Sequence, residues 1–317
     1  VYSTDPRRAR QVANRVRTGI LSINDIAMLA DFTPFGGYKS SGIGREFGEE
    51  GLKSYTQVKT IYTANEGSAN RSTFGMMFNY PKGENFIHVA PTRIVCGPKS
   101  LANLDSELRA LGARRAVIIT DQGVRAAGLL DRAVLAAGDR CAGVFDGVVP
   151  DPTHECAQAA VDYCRTVGAD SIISLGGGSS IDCAKLALVA LTNDCTTLQA
   201  MNIFRLQGPQ LPHIAIPTTH GTGSEVTCAG VITNSRLHKK FFIVDLKLFP
   251  NVAILDPTLV TGLPKSMTIG TGMDALTHAI ESVVNPMGNP ISVAVGLQSV
   301  RMVRENLPKV VADGKDI

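Results

Sequence analysis

One short stretch constrains this chain more than any other. Ser171-Ile172-Ile173-Ser174-Leu175 is an apolar run of strand type. It passes directly into Gly176-Gly177-Gly178-Ser179-Ser180, and a helical pattern then runs to Thr192. A strand, a glycine turn and a helix start bring bare N–H groups and a positive helix terminus to one point, an arrangement that suits a pyrophosphate. Glycines let such a group approach the backbone without a Cβ in the way. The same residues also read as an ordinary turn closed by a capping box from Ser179 to Asp182. The spacing is not G-x-G-x-x-G, so a standard Rossmann fingerprint is excluded. A second glycine-rich stretch, Gly42-Ile43-Gly44-Arg45-Glu46-Phe47-Gly48, is one residue too long for that fingerprint and has no strand–helix–strand unit around it.

The surrounding pattern is α/β. Short apolar runs recur at Ala116–Thr120, Ala142–Phe145 and Ile214–Pro217, with helical stretches such as Cys156–Val167 between them. Alternating strands and helices with apolar strands predict a parallel sheet covered on both faces. Val231–Val244 predicts a hairpin around Asn234-Ser235. From Pro264 onward the pattern is helical, over Ser266–Val284 and Ile291–Glu305. Residues 1–63 form a separate block, with a basic helix over Arg8–Arg17 whose apolar face is Val12, Ala13 and Val16. Strands are expected at Gly19–Asn24 and Tyr55–Tyr62. The small polar run 64–73 reads as linker. The expected boundaries are therefore 1–63, a linker at 64–80, an α/β domain over 81–263 and a helical segment over 264–317.

Two further loops follow strands: Thr218-Thr219-His220-Gly221-Thr222-Gly223-Ser224-Glu225, and Thr120-Asp121-Gln122-Gly123. Open α/β sheets bind ligands at the C-terminal ends of their strands. Asp121 is placed to accept hydrogen bonds from a ribose diol and to repel a 2′-phosphate; its other reading is a turn residue. His220 is the most suggestive of the isolated histidines. On the later helix, Asp274 and His278 are four apart and share a face. A carboxylate and an imidazole at that spacing hold a divalent metal or form a simple ion pair.

Composition narrows the function classes. Thirty-one basic and 28 acidic residues give a net charge of +3, too little for a nucleic-acid partner. Residues 1–63 carry nine of the basic and six of the acidic residues, so the excess lies wholly in the first block. No apolar run reaches the ~20 residues a membrane span needs. No secretory signal opens the chain, although it begins at Val1 rather than Met. Seven cysteines with no C-x-x-C pair argue against a disulfide framework and for reduced, mostly buried thiols in the cytoplasm.

Residues from about 81 to 317 resemble the iron-containing alcohol dehydrogenases. The likeness runs through Pro150-Asp151-Pro152-Thr153, Gly176–Ser179 with Asp182 and Lys185, Pro217-Thr218-Thr219 with Gly221–Glu225, Lys240, Asp256-Pro257 and Gly272–Glu281. It implies a parallel-sheet dinucleotide-binding domain followed by an all-helical metal-binding domain. It also implies NAD and Fe²⁺ as cofactors, with Zn²⁺ in polyol-type members. By resemblance, Gly177, Gly178, Ser179 and Asp182 meet the cofactor phosphates and nearby groups, Thr218, Thr219, Thr222, Thr227 and Lys240 line the ribose and nicotinamide side, and Gly176 and Asp151 also belong to the cofactor-binding set. Asp121 selects NAD over NADP. Asp274 and His278 are the catalytic metal's first two ligands of four, the others falling on helices beyond Ile317. His220 departs from the small residue common in the family, and Asp151 from its Asn.

Residues 1–63 resemble the C-terminal end of a non-acylating aldehyde dehydrogenase, through Pro34–Glu46 and Gly51–Lys59. That family's nucleophile is a cysteine, and none precedes Cys96, so the block is a short α+β tail without its own aldehyde chemistry. The order resembles bifunctional aldehyde–alcohol dehydrogenases, whose aldehyde half is of another type; the expectation is a fragment across a fusion junction. The expected function is metal-dependent, NAD-linked hydride transfer between a primary or secondary alcohol and its aldehyde or ketone, with Fe²⁺ as the metal. The rivals are a non-catalytic NAD-binding fragment, a zinc polyol dehydrogenase, and an oligomerisation module built on the first block. A homo-oligomer is expected, with neither nucleic acid nor membrane as partner.

Overall fold

The computed structural model describes residues 5–15, 20–23, 60–63, 86, 88–201, 206, 208–285 and 288–315. The glycine stretch at 42–48 and the linker at 64–80 lie outside them. The chain falls into two compact units, residues 1–89 with 273–306 and residues 90–272 with 307–317.

The first unit opens with α1 (Pro6–Arg15). Asp5 starts this helix by accepting from the N–H groups of Arg7 and Arg8 at 2.9 and 3.2 Å. Its buried side is Ala9 and Ala13, while Val12 is exposed, which corrects the apolar face expected from sequence. Strands β1 (Ile20–Ile23) and β2 (Thr60–Thr63) pair in parallel.

The second unit is built on six strands: β3 (Arg93–Cys96), β4 (Ala116–Asp121), β5 (Cys141–Val148), β6 (Ser171–Gly176), β7 (His213–Pro217) and, after a hairpin, β10 (Val252–Leu255). The hairpin is β8 (Ala229–Asn234) with β9 (Lys239–Val244), so its loop is Ser235–His238, just past the expected tip. The sheet order is β3-β10-β7-β6-β4-β5 and every pairing is parallel. Helices α2 (Leu104–Ala110), α3 (Gln122–Ala126), α4 (Leu129–Ala137), α5 (His154–Thr166), α6 (Gly178–Thr192) and α7 (Thr197–Ala200) lie between the strands.

Side chains of one strand alternate between two cores, as the pleat requires. Val117, Ile119 and Ile172 join Ala160, Val161, Ala184 and Leu186 from α5 and α6 in one core. Ile118, Ile173, Leu175 and Ile216 join Leu104, Leu108 and Ala133 from α2 and α4 in the other. This double burial is why β4 and β6 read as unbroken apolar runs.

Two long helices close the chain, α8 (Lys265–Val284) and α9 (Pro290–Ala312). A Cβ at Gly296 would run into Ser282 and Val283 of α8, so the close crossing at that point needs glycine. Met273, Ile280, Val295, Leu297 and Met302 remain exposed on these helices. Of the seven cysteines only Cys164 and Cys183 are buried and Cys96 is exposed, so the thiols are less enclosed than expected; none is paired. Among the described residues no helix is long and apolar enough to cross a membrane.

Candidate cofactor site

The connectivity marks where a ligand belongs. From β4 the chain steps outward to β5, then returns to the other side of β4 to form β6, and continues to β7. The direction of winding reverses between β4 and β6, and the crevice outside the carboxyl ends of such a strand pair is where open α/β sheets bind ligands. Asp121 ends β4, Gly176 ends β6 and Thr218 follows β7.

The glycines at this point are required by the backbone and by space. Gly176 has φ +148°, and a Cβ there would overlap Ser180 Oγ. A Cβ on Gly177 would lie 3.2 Å from Thr219 Cγ2, and one on Gly178 3.3 Å from Thr222 Cγ2. The turn and the threonine loop after β7 are thus packed against each other. Gly177 is the N-cap of α6 and offers no side chain to the helix, so the first turn has no side-chain cap, although Ser180 N–H donates to Gly177 C=O at 3.1 Å. The capping box expected from Ser179 to Asp182 does not form. The positive end of the helix therefore lies at Gly177 and Gly178.

Asp121 performs two tasks. Its Oδ1 accepts from Val124 N–H at 2.9 Å and caps α3, while its Oδ2 accepts from Ser180 Oγ at 3.1 Å. Asp121 is thus the turn residue of one sequence reading, a helix cap that also stands beside the glycine turn. Thr218 N–H donates to Gly176 C=O at 3.0 Å, tying the second loop to the same turn.

Behind the turn lies a brace that sequence reasoning noted only as part of a motif. Lys185 is fully buried about two helical turns into α6. Its Nζ donates to Ser224 C=O at 2.7 Å, Thr227 Oγ1 at 3.0 Å and Ala229 C=O at 2.6 Å, with Ser224 Oγ at 3.3 Å. Asp182 accepts from Ser224 Oγ at 2.5 Å and from Val231 N–H at 3.0 Å. Burial lowers the Lys185 pKa to about 8 and raises that of Asp182, each opposed by the other's charge. Asp182 and Thr227 thus face Lys185 and the Ser224–Val231 segment. The available signal was a lysine among Ile181, Ala184, Leu186 and Leu188 on a helix buried nearly all round.

Lys240 Nζ pairs with Asp151 at 2.8 Å, and Asp151 holds a left-handed φ of +52°, a conformation that Asn and Asp adopt more readily than most residues. On α8, His278 Nε2 lies 3.7 Å from Asp274 Oδ1, with both side chains about half exposed. Among the described residues no third His, Cys, Asp or Glu joins them as a metal cluster.

Four buried polar atoms near the strand ends have no partner among the described residues: Thr120 Oγ1, Thr219 Oγ1, His220 Nε2 and Glu225 Oε2. Burial lowers the His220 pKa and raises that of Glu225, so both lean towards their neutral forms. Unsatisfied atoms of this kind call for an occupant. Thr219 Oγ1 in particular stands over the uncapped start of α6.

Comparison with known proteins gives the family. The family model for iron-containing alcohol dehydrogenases matches residues 91–257, and that family's C-terminal model matches 268–317. This chain belongs to the iron-containing alcohol dehydrogenase family. The aldehyde dehydrogenase family model matches residues 1–61. The NAD-dependent methanol dehydrogenase of Bacillus methanolicus is 37% identical over 231 residues, 72% of this chain and 60% of that protein. The 1,3-propanediol dehydrogenase of Klebsiella pneumoniae is 36% identical over 237 residues, 73% of this chain and 61% of its own length. Among solved structures, a 1,3-propanediol oxidoreductase aligns with TM-score 0.70 at 34% identity over 74% of this chain and 62% of that one. A sulfoacetaldehyde reductase from Bifidobacterium kashiwanohense, in complex with NAD+, aligns with TM-score 0.69 at 30% identity, with the same coverage. The chain spans about three fifths of the length of these iron-containing alcohol dehydrogenase relatives.

Proposed function

We propose that this chain carries the NAD-binding half of an alcohol dehydrogenase that moves a hydride between a small alcohol and its aldehyde or ketone. The observation that supports this best is the uncapped glycine turn at the switch point, with the unpartnered Thr219 Oγ1 above it. The N–H groups of Gly178 and Ser179 hold the diphosphate. Asp121 accepts from the ribose hydroxyls on lone pairs not used by Val124 and Ser180, and its charge disfavours a 2′-phosphate. The Lys185–Asp182 brace fixes the Thr218–Thr227 loop against the turn, and Lys240 and Asp151 flank the ribose and nicotinamide side. When bound, the nicotinamide supplies the hydride acceptor.

Asp274 and His278 are the two residues we assign to the catalytic ion, Fe²⁺ by family and Zn²⁺ as the alternative. A protein-held ion of this kind takes at least three protein donors, so these two residues alone do not fit a complete site. The small-molecule partner we propose is an alcohol or aldehyde. We also propose that the chain self-associates, because Ile94 on the edge strand β3 and the apolar face of α8 and α9 are exposed.

Thermal melting with each cofactor tests the assignment. NADH is expected to raise the melting temperature, NADPH much less, and Asp121→Ala to reduce the difference. Equal shifts with both cofactors in the unaltered chain would remove Asp121 from the site; no shift with either would overturn the reading. Anaerobic Fe²⁺ loading followed by NADH-dependent aldehyde reduction separates a working enzyme from a cofactor-binding piece. Turnover lost in His278→Ala places that residue at the ion.

A further inference from the structure

Three cysteines come together in the core that α5 and α6 share, and the cofactor site uses none of them: Cys156 and Cys164 from α5, and Cys183 from α6. Cys156 lies in the first turn of α5, where its N–H donates to the capping Thr153 Oγ1 at 3.2 Å. Cys183 lies in the second turn of α6, next to Asp182. The two helices pack directly on each other, and Ala157, Ala160, Ala184 and Ala187 are fully buried in their shared core. Side chains this short let helix axes approach closely. The Cys183 S–H donates to the Cys156 sulfur, and the Cys156 S–H donates in turn to Gly147 C=O at 3.4 Å. The two sulfurs are therefore already in contact.

Their surroundings differ. Cys156 is half-buried and Cys183 is fully buried. The hydrogen bond from Cys183 lowers the Cys156 pKa to about 7, against the opposing effect of burial. The same hydrogen bond, with burial, raises the Cys183 pKa well above its ordinary value. Thiolate character and access decide which thiol meets an oxidant, and a second thiol beside it resolves the product. Cys164 is fully buried, and burial raises its pKa to about 12, which leaves it inert.

We propose that Cys156 and Cys183 form a modification site at which a small peroxide converts the thiol pair to an intramolecular disulfide. The Cys156 thiolate attacks one peroxide oxygen. The S–O bond forms, the O–O bond breaks, and the departing hydroxide takes up the proton that the thiol released. The Cys183 sulfur then attacks the Cys156 sulfur. The S–S bond forms, the S–O bond breaks, and the hydroxide leaves with the Cys183 proton as water. Two thiols are oxidised by two electrons, and one peroxide is reduced to two waters. The new bond ties the start of α5 to α6 one residue from Asp182, the carboxylate that holds Ser224 and Val231.

The test treats the unaltered chain with hydrogen peroxide, blocks the remaining thiols with N-ethylmaleimide in denaturant, and digests with trypsin and Asp-N. Cleavage before Asp162 and Asp182 separates Cys156 from Cys164 and puts Cys183 on the short peptide 182–185. The expected species joins peptide 151–161 to peptide 182–185, is lighter than their sum by two hydrogens, and separates into them on reduction with dithiothreitol. Cys183→Ala is expected to carry Cys156 on to the sulfinic acid, a gain of two oxygens, because no thiol resolves it. Cys156→Ser is expected to leave Cys183 as a free thiol. A Cys156 that stays reduced at a dose that oxidises the exposed Cys96 would overturn the proposal. So would Cys183 joined to Cys164, or a Cys156 sulfenic acid that dimedone traps unresolved in the unaltered chain. None of these readings involves NADH, so the result stands apart from the cofactor assignment.

Discussion

Replacing Lys185 with methionine isolates the brace behind the cofactor turn. Methionine keeps most of the length and removes the charge and its hydrogen bonds to Ser224, Thr227 and Ala229. An unfolded lysine holds its proton to about pH 10.4. In the fold, burial lowers that pKa to about 8. Between these values the unfolded chain binds more protons than the folded one, so the lysine's contribution to stability rises with pH. The separation of about 2.5 is worth roughly 3 kcal/mol across the window. Urea unfolding from pH 7 to 10.5 gives the difference between the unaltered chain and Lys185→Met, which cancels every other titrating group. The unaltered chain is expected to gain on the variant by roughly 3 kcal/mol from pH 8 to 10.5 and by nothing between pH 6 and 7. A flat difference, or one that falls with pH, would refute the buried ammonium. At pH 7 the variant leaves the Ser224 and Ala229 carbonyls without this donor, and NADH affinity is expected to fall as the Thr218–Thr227 loop loosens.

Three further outcomes follow from the geometry. Gly176→Ala forces a Cβ into Ser180 at a φ of +148°, and it is expected to destabilise by about 2–4 kcal/mol in urea unfolding; a loss below about 0.5 kcal/mol would contradict the strained turn. His278→Ala removes half of a half-exposed pair at 3.7 Å and is expected to change stability by no more than about 0.5 kcal/mol, with NADH affinity unchanged. A larger loss would show that the pair supports the fold. The exposed Val295, Leu297 and Met302 predict self-association in light scattering, reduced in Leu297→Glu, whereas a monodisperse monomer would contradict that.

The inner strands of the sheet were legible because double burial leaves continuous apolar runs. Ala116–Thr120 and Ser171–Leu175 became β4 and β6 with ends shifted by at most one residue. Strands β3 and β10 were not foreseen: each is only four residues long, and three of the four β3 residues are exposed, so β3 carries little apolar signal. Helix α1 misled because Ala9 and Ala13, rather than the larger Val12, face inward. The glycine turn was legible in its residues, but its partners were not. Ser180 meets Asp121 59 positions away, and Lys185 reaches residues 39 to 44 positions ahead. Such pairings depend on the order of strands, which no local pattern encodes. The capping-box reading failed for the same reason: Asp182 is drawn to Ser224 and Val231 instead of to its own helix end.

The central claim is that the turn at Gly176–Ser179 holds the dinucleotide, and NADH fluorescence titration of the unaltered chain beside Gly178→Val tests it most directly. A valine there would drive its methyl groups into Thr222, whose Cγ2 already stands 3.3 Å from the position of a Cβ. The account predicts saturable NADH binding in the unaltered chain and affinity at least about 100-fold weaker in the folded variant, equivalent to roughly 3 kcal/mol. Equal affinity in the two would place the cofactor elsewhere and contradict the account.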